Sequence, residues 1–523
     1  MRLLLSLMLL LSIPSSEAVE IQNLTLEQKV GQMFIFGFAG TKLNKNLKAH
    51  LRKHQPGAVI VFGRNIKTLS QTSDLNSELQ KLTLSYSEVP LFVAIDQEGG
   101  SVSRIKTSPG LPSAYTIGNT NDTALSFQAG RVTGQILRLL GFNMNLAPVL
   151  DVTDSQLHSF IASRSFSESP HKVSSMGVAF AQGLEESQII PVAKHFPGHG
   201  SISLDTHRTT PHRQISYQTL LNSDLIPFSQ YASSEILGGI MVAHISYPLI
   251  DSSQLPATYS KHLITQVLTE ELKYKGLIMT DDIEMAGAAA LPLVEDRAIA
   301  AILAGNDLVM LAWSTELQNK AVAAVVSAVK SGQIPEKRID QSVQKILKFK
   351  KSYALSSRRT LASKATLKND LKNIQYNSIY DDIVSRFFKS LPGLEKTEAE
   401  YENLHVVSSS SNFTDSFRRY IKNQSTTISD KIKSIRQIKT PTLFIVHVTN
   451  ANQLKDLYAL SPEQKKNIVV VSSNAKAHFQ DKSGFMDVVE VFSIHPNLGG
   501  FTADAINRTA STVSRYEEPV LTR

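Results

Sequence analysis

Residues 276–283 read GLIMTDDI, a short apolar run that ends in two adjacent carboxylates. The apolar residues follow one another instead of alternating with polar ones, which is typical of a strand buried on both faces. Seven more runs of this kind lie along the chain, most of them bounded by Gly, Pro or polar turns. They begin at Val30, Gly57, Pro90, Phe142, Ile189, Gly238 and Asn306.

Segments with the spacing of amphipathic helices separate these runs, for example residues 171–187 and 261–275. Strand and helix therefore alternate eight times, which predicts the α/β class and, within it, a (β/α)8 TIM-type barrel. A doubly wound open sheet is the alternative, because a count of strands does not establish that the sheet closes. We favour the barrel because of the polar residues that follow the runs.

A polar or charged residue stands at the end of five consecutive runs. These residues are Asp96 after the third run, Asp151 after the fourth, Lys194 and His195 in the fifth, His244 after the sixth, and Asp281 with Asp282 after the seventh. One such residue is commonly only a turn or helix-cap residue. Five in succession indicate a shared site, because the carboxyl ends of barrel strands converge on one mouth.

The length of 523 residues suggests more than one domain. The barrel is expected to end with a helical stretch, residues 321–355, that Gly332 and Pro335 interrupt. Beyond it, the apolar runs 441–449 and 466–473 are typical of strands with a helix between them, which predicts a smaller α/β domain. The predicted organisation is a signal peptide at 1–18, the barrel at 19–355, a linker at 356–374 and a C-terminal α/β domain at 375–523.

The N-terminal sequence MRLLLSLMLLLSIPSSEA, residues 1–18, has one arginine, then an apolar run, then small residues. The apolar run is too short to span a bilayer as a helix, so it predicts an export signal that is removed. No later apolar stretch is long enough to span a membrane. We therefore expect an exported protein, periplasmic or extracellular, without stable membrane insertion.

Hydrophobic residues make up 42% of the chain and charged residues 19%, as in a globular protein with a large core. The chain has no cysteine, which excludes disulfides, thiolate nucleophiles and cysteine metal sites. The formal charge of +8 suits an anionic envelope polymer as partner, although solvated lysines on helix faces also account for it. No compact pattern of basic and aromatic residues is present, so no nucleic-acid partner is expected. Nothing in the sequence indicates the oligomeric state.

Residues 194–207, KHFPGHGSISLDTH, carry three histidines and an aspartate on a stretch that contains two glycines. Asp205 and His207 stand two apart, so on extended backbone their side chains point to the same side. A carboxylate bonded to one ring nitrogen fixes the tautomer and leaves the other nitrogen for proton transfer. An incidental polar turn is the simpler alternative. A metal site that includes His195 and His199 is a third, but the spacing matches no familiar zinc signature, so no metal is expected.

Five motifs occur in the order that is typical of one enzyme family. They are DQEGGSVSR (96–104), NLAPVLDV (145–152), SRSFS (163–167), KHFPGHG (194–200) followed by D-x-H, and TDDIEM (280–285). Together they resemble glycoside hydrolase family 3, specifically its β-N-acetylglucosaminidase branch, over about residues 26–312. Two positions depart from the family pattern: SFS stands where SFG is common, and Ser101 stands where arginine is common.

The resemblance implies a role for each matching residue. Asp281 corresponds to the nucleophile, His207 to the general acid/base and Asp205 to the residue that tunes it. The positions that correspond to sugar-holding residues are Asp96, Arg104, Arg164, Lys194 and His195. Asp282, beside the nucleophile, is expected to be structural. A carboxylate nucleophile with a separate proton donor is the minimal equipment of a retaining glycosidase.

The activity that the resemblance implies is that of an exported, retaining exo-β-N-acetylglucosaminidase that needs no cofactor. Its expected partner is a carbohydrate with a terminal β-linked GlcNAc, such as a peptidoglycan or chitin-type fragment. The alternatives are a β-glucosidase or β-xylosidase of the same family, which KHFPGHG with D-x-H disfavours, and a non-catalytic carbohydrate-binding envelope protein. Phosphate is a side possibility as acceptor, because a histidine acid/base repels an anion less than a carboxylate does.

Overall fold

The computed structural model describes residues 21–107, 110–153, 161–200, 210–353, 355, 366–374 and 376–389. Farther along the chain it describes residues 457 and 460 and five strands, whose bounds are given below. The predicted signal peptide, the pair Asp205 and His207, and most of the predicted linker lie outside the described residues. Among the helices that are described, none is long and apolar enough to cross a membrane.

Ten strands belong to the first part of the chain. They are β1 (Phe34–Gly37), β2 (Ala58–Val61), β3 (Phe92–Ile95), β4 (Gln97–Gly99), β5 (Val102–Ser103), β6 (Met144–Asn145), β7 (Ile190–Phe196), β8 (Gly239–Val242), β9 (Leu277–Asp282) and β10 (Leu308–Leu311). Eight of them form a closed barrel in the order β1-β10-β9-β8-β7-β6-β3-β2, and every neighbouring pair is parallel. Strands β4 and β5 form a small antiparallel ribbon after β3. The predicted barrel is confirmed, and the open-sheet alternative is wrong.

Helices connect the barrel strands. They are α1 (Leu26–Gln32), α2 (Lys45–His54), α3 (Leu69–Leu84), α4 (Ala114–Asn119), α5 (Thr123–Leu139), α6 (Pro170–Glu186), α7 (Tyr217–Leu221), α8 (Leu225–Ser233), α9 (Val294–Ala304), α10 (Thr315–Lys330) and α11 (Glu336–Ser352). The segment His262–Glu271 is a helix with π-type hydrogen bonding. Ser314 caps α10 by accepting a hydrogen bond from the amide of Leu317, and Pro335 precedes α11, so the predicted interruption separates two helices.

Both faces of the barrel strands are buried, which explains why their sequences do not alternate. In β2, Ala58 and Ile60 pack in one hydrophobic cluster, while Val59 and Val61 pack in a second cluster. Each of these four side chains is at most 1% exposed. A strand lying between a filled barrel interior and an outer layer of helices needs apolar residues at every position.

The chain after α11 adds two helices to the outer layer, α12 (Leu367–Asn373) and α13 (Tyr376–Lys389). Helix α13 contacts α4 and α5, Tyr380 is buried against the barrel's helices, and Arg386 pairs with Asp122 at 2.7 Å. Parts of the predicted linker and of the predicted second domain thus pack on the barrel. The exact domain boundaries stay a prediction.

A second, parallel sheet lies in the C-terminal part. Its strands are β11 (Asn403–Val407), β12 (Thr426–Ser429), β13 (Thr442–Val448), β14 (Ile468–Ser472) and β15 (Asp487–Glu490), in the order β12-β11-β13-β14-β15. The strands predicted within 441–449 and 466–473 correspond to β13 and β14. A purely parallel sheet requires crossover connections, which agrees with the predicted smaller α/β domain.

Candidate active site

A pocket of about 200 Å³ opens at the carboxyl ends of the barrel strands. Six of the residues predicted to act on the sugar line it, and these are Asp96, Arg104, Arg164, Lys194, His195 and Asp281. Drug-sized ligands usually occupy pockets of roughly 300–1,000 Å³, so this pocket suits a single sugar ring better than a longer chain. The barrel therefore gathers residues that lie far apart in the sequence into one small site.

One wall of the pocket is a network of four charged groups. Lys194, near the end of β7, lies 2.8 Å from Asp96 Oδ1 and 2.6 Å from Glu98 Oε1. Arg164 donates two hydrogen bonds to Glu98, from Nε to Oε2 at 2.7 Å and from Nη2 to Oε1 at 2.8 Å. Glu98 belongs to β4 and is only 6% exposed. It orients both cations toward the pocket, a role that the sequence analysis did not assign to it.

The charges in this network keep one another ionised. Burial alone would raise the pKa of Glu98, but Arg164 and Lys194 outweigh it and lower the pKa to about 2. Burial likewise opposes the charge of Lys194, yet Asp96 and Glu98 raise its pKa above the ordinary value. The wall thus presents fixed positive and negative groups that can donate to and accept from sugar hydroxyls.

A second wall of the pocket contains His195 and His199, and Asp151 bonds to both residues. Asp151 is fully buried, and its Oδ2 lies 2.7 Å from Nδ1 of His195. Its Oδ1 accepts from the backbone amides of His195, at 3.2 Å, and His199, at 2.8 Å. Burial raises the pKa of this carboxyl, but the neighbouring histidine and these hydrogen bonds hold it well below the ordinary value. An ionised Asp151 fixes the orientation of the His195 ring, and His195 lines the pocket.

His199 shares this wall without carrying charge. Its ring packs edge-on against His195 with 5.0 Å between the ring centroids. Burial lowers the pKa of His199 to about 3, against the opposing attraction of Asp151. His199 is therefore neutral at physiological pH, and it lines the pocket as a polar group.

Asp281, near the end of β9, also lines the pocket. Burial raises its pKa, but interactions with His244, His195, the amide of Asp282 and Lys194 outweigh this and lower the pKa. Its Oδ1 accepts a hydrogen bond of 2.7 Å from the amide of Asp282. An ionised and partly desolvated carboxylate is the form that a nucleophile requires.

Asp282 has a different environment from its neighbour. Its Oδ1 accepts from the amides of Glu284, at 3.1 Å, and Ala312, at 3.2 Å, which ties β9 to the end of β10. Burial, followed by repulsion from Glu284 and Asp281, raises its pKa to about 7. These bonds support the expectation that Asp282 is structural.

His244 fixes the backbone next to Asp281. Its Nε2 lies 3.0 Å from the carbonyl oxygen of Asp282, and its Nδ1 lies 2.8 Å from the hydroxyl of Thr258. The Thr258 hydroxyl also lies 2.9 Å from the carbonyl oxygen of Ala243. The ring is 1% exposed, and burial lowers its pKa, so it is held rigidly beneath the Asp281 segment.

Residues 197–200, which follow β7, are held in place by bonds to neighbouring residues. Arg213 pairs with Asp224 at 2.8 Å and approaches the carbonyl oxygen of Gly198 at 3.4 Å, and Tyr247 donates to the same oxygen at 2.5 Å. Gly200 has a positive φ of 55°, and a Cβ atom there would lie 2.1 Å from the Arg213 guanidinium. A residue with a Cβ atom at this position would be strained and would displace the Arg213 guanidinium.

Thr210, where the described chain resumes, lies beside the chain that follows β9. The hydroxyl of Thr210 donates to the carbonyl oxygen of Gly287 at 2.8 Å. Of the described residues before and after 201–209, His199 therefore lines the pocket and Thr210 contacts the chain that follows Asp281. Asp205 and His207 themselves lie outside the described residues, and their roles stay a prediction.

An apolar side of the pocket was not predicted. Phe62, Met285 and Trp313 line it together with residues of the barrel interior. Trp313 directly follows the eighth apolar run and is the single tryptophan of the chain, a signal that the sequence analysis left unused. Sugar rings have apolar C–H faces, so a pocket with one charged wall and one aromatic wall suits a carbohydrate.

Arg104 has unused hydrogen-bonding capacity in the described part of the chain. Its backbone amide donates to Gln97 Oε1 at 2.8 Å, which fixes the residue at the pocket. Its buried Nε has no hydrogen-bond partner there. Among the residues that the structure describes, no group of three or more His, Asp or Glu side chains is arranged to hold a metal ion.

Comparison with known proteins gives a consistent assignment. Residues 25–349 match the family profile described as "Glycosyl hydrolase family 3 N terminal domain". A protein named Beta-hexosaminidase A from Pseudoalteromonas piscicida is 30% identical over 386 residues, which cover 66% of this chain and 64% of that protein. The chain thus spans a little less than two thirds of the length of that relative.

Two further similarities cover more of the compared protein. A Beta-hexosaminidase from Nitrosospira multiformis is 36% identical over 296 residues, which cover 55% of this chain and 82% of that protein. The solved structure of a glycoside hydrolase family 3 beta-N-acetylglucosaminidase from Paenibacillus sp. str. FPU-7 superposes with a TM-score of 0.76 at 25% identity. That superposition covers 93% of this chain and 97% of the other.

Proposed function

The chain belongs to glycosyl hydrolase family 3, and we propose that this glycoside hydrolase is an exported, retaining exo-β-N-acetylhexosaminidase that removes terminal GlcNAc from β-linked glycans. The names of its relatives support the choice of sugar. One observation carries the proposal: six residues predicted to act on the sugar line the same small pocket.

The charged wall holds the terminal sugar. Asp96 accepts hydrogen bonds from ring hydroxyls, while Arg104, Arg164 and Lys194 donate to hydroxyls or to the carbonyl of the acetamido group. Ion pairs with Glu98 keep Arg164 and Lys194 in place before substrate arrives. Such preorganisation lowers the barrier because little ordering is left for the reaction step.

Asp281 is the nucleophile in this proposal. Its lowered pKa supports an ionised carboxylate at neutral pH. One of its oxygens bonds to the anomeric carbon as the bond from that carbon to the leaving oxygen breaks. The result is a covalent glycosyl-aspartate, which water then opens to give net retention.

His207, oriented by Asp205, is the acid/base. It gives its proton to the leaving oxygen and later accepts a proton from the attacking water. The contact of Thr210 with Gly287 supports this role, because it places Thr210, which follows His207 by three positions, close to the chain after Asp281. In a closed state the two catalytic groups should be about 5–5.5 Å apart.

The proposals of export and of a natural substrate rest on the sequence. Residues 1–18 have the pattern of a removed signal, so we propose that the enzyme works in the periplasm or outside the cell. A cell-wall glycan, of peptidoglycan or chitin type, is the matching source of terminal β-GlcNAc at that location. The formal charge of +8 suits an anionic polymer, although solvated lysines on helix faces also account for it.

The test compares nitrophenol release from the β-N-acetylglucosaminide and the β-glucoside, with and without EDTA, for wild type, Asp281→Ala and His207→Ala. The acetamido sugar should be preferred, and Asp281→Ala should lose nearly all activity. His207→Ala should keep part of it, because nitrophenolate leaves without protonation. Activity that disappears with EDTA would indicate a metal-dependent enzyme instead.

The same assay separates the alternatives. A preference for glucoside or xyloside would keep the fold and the nucleophile but change the sugar. Binding of GlcNAc without turnover of any substrate would favour a carbohydrate-binding envelope protein. Full activity in Asp281→Ala would overturn the mechanism proposed here.

A further inference from the structure

An exposed tryptophan stands at the rim of the sugar pocket. Trp313 is 65% exposed although it lines the pocket, and it is the single tryptophan in 523 residues. A large aromatic side chain gains most from burial, so an exposed one beside a binding site indicates that a ligand covers it.

The ring is held in one orientation by its neighbours. The guanidinium carbon of Arg64 lies 4.0 Å from the centroid of the Trp313 ring, and the ring of Phe62 stacks at 6.0 Å with an interplanar angle of 21°. Arg64 is itself fixed by bonds to the carbonyl oxygens of Phe38, at 3.0 Å, and Ala312, at 2.5 Å. The indole is thus a rigid surface.

Trp313 is also coupled to the segment that contains the nucleophile. The backbone amide of Trp313 donates to Glu284 Oε1 at 2.8 Å, and that of Ser314 donates to Oε2 at 3.0 Å. Glu284 follows Asp281 by three positions, and its amide donates to Asp282 at 3.1 Å. The distance from the indole to Asp281 is therefore set by a short, bonded piece of chain.

We propose that Trp313 is the platform for the sugar residue on the leaving-group side of the scissile bond. This inference rests on the proposed function and extends it to the second ring of the substrate. The pocket of about 200 Å³ takes the terminal sugar, so the next pyranose must lie across the rim. There its apolar C–H face stacks on the exposed indole, as sugars and bases do on aromatic side chains.

The proposal makes the enzyme selective for substrates whose leaving group is a ring. A leaving group that carries no ring contacts only the catalytic groups and gains nothing from Trp313. A β-linked disaccharide gains a stacking contact, which corresponds to about a tenfold preference. The occupant is a second sugar, not a protein or a lipid, because the platform adjoins the mouth of a sugar pocket.

Tryptophan fluorescence tests this directly, because the signal comes from Trp313 alone. In the full-length Asp281→Asn variant, which prevents turnover, N,N′-diacetylchitobiose should change the emission saturably, and GlcNAc should change it much less. Equal changes with both sugars, or none with the disaccharide at concentrations that saturate binding by calorimetry, would overturn the proposal.

Kinetics provide the second readout. Trp313→Ala should lower the ratio of kcat/KM for N,N′-diacetylchitobiose to kcat/KM for the β-GlcNAc fluoride about tenfold, and Trp313→Phe should restore most of it. Leu249→Ala is the matched control, since Leu249 is 64% exposed but does not line the pocket. A ratio that Trp313→Ala leaves unchanged would refute the platform, whereas a wild type inactive on both substrates would refute the proposed function itself.

Discussion

Glu98 and Arg164 form a two-pronged ion pair in the wall of the pocket, with N–O distances of 2.7 and 2.8 Å. Lys194 joins the same carboxylate at 2.6 Å, so one buried acid organises two cations. Removing its charge leaves these cations with less compensation in a poorly hydrated place. The wall should therefore be a source of stability as well as of sugar binding.

We predict that Glu98→Gln destabilises the protein by about 2–3 kcal/mol at pH 7, measured by chemical denaturation. Asp96 still neutralises Lys194, which keeps the loss below that of a fully orphaned pair. Glu27→Gln is the control, because Glu27 pairs with Lys330 where both side chains are more than half exposed. That variant should show no measurable change.

The pH dependence of this difference has a definite sign. The pKa of Glu98 is lowered from 4.5 to about 2 in the folded protein, so its stabilising contribution is complete above pH 4.5. It is lost as the pH falls toward 2. The gap between wild type and Glu98→Gln should therefore close between pH 4.5 and 2, and a gap that widened on acidification would contradict the assignment.

Amidation of the adjacent acids Asp281 and Asp282 should reduce activity to very different extents. Asp281→Asn removes the proposed nucleophile and should reduce activity by about 10³-fold or more. Asp282→Asn keeps an oxygen to accept from the amides of Glu284 and Ala312, and should cost less than about tenfold. Steady-state kinetics on the nitrophenyl substrate compare the two, and equal losses would show that the roles are not separated.

The raised pKa of Asp282 also makes the stability of the protein depend on pH. Because the pKa of Asp282 is raised from 3.8 to about 7, the unfolded chain releases its proton first, and the folded state loses stability as the pH rises through this window. Asp282→Asn avoids that loss. As the pH rises from 4 to 8, the free energy of unfolding of wild type should fall by roughly 2–4 kcal/mol relative to that of the variant, as measured by denaturation.

A buried lysine at the opposite end of the barrel gives an independent test. Lys350 is 2% exposed, bonds to Gln32 Oε1 at 2.7 Å and lies 4.9 Å from the ring centroid of Phe92. Burial lowers its pKa well below the ordinary value of 10.5. The unfolded chain therefore binds a proton that the folded state disfavours, and stability declines as the pH falls below 10.5.

Lys350→Met should accordingly stabilise the protein by about 1 kcal/mol at pH 7 and leave activity intact, because the amino ends of the strands lie away from the pocket. The advantage should shrink as the pH approaches 10.5. Lys351→Met, at an exposed neighbouring position, is the control and should change neither property. A destabilised Lys350→Met with unaltered pH dependence would show that the ammonium is well compensated.

The barrel could be predicted because burial on both faces leaves a direct trace in the sequence. All eight apolar runs contain a barrel strand, but the fourth contributes only Met144 and Asn145. The reason is that asparagine side chains take over part of the strand pairing: Asn143 Oδ1 accepts from the amide of Val93, and Asn145 Oδ1 from that of Gln97. Such substitution of backbone bonds by side chains is not visible in hydrophobicity.

Site residues could be predicted from the sequence only where they follow a strand or belong to a family motif. Glu98 and Trp313 were missed because their roles depend on partners far away in the sequence, Arg164 in one case and Arg64 in the other. The packing of α13 on α5 was missed for the same reason. Local spacing indicates which element a residue belongs to, whereas contacts between elements need the folded chain.

The central claim is that Asp281 forms a covalent bond to N-acetylglucosamine during retaining catalysis. The most direct test incubates the enzyme with a slow 5-fluoro glycosyl fluoride analogue of GlcNAc and maps the adduct by peptide mass spectrometry. We predict one added sugar on the peptide containing Asp281, and no adduct in Asp281→Asn. An adduct on another residue, or a first-formed product of the α configuration without any adduct, would contradict it.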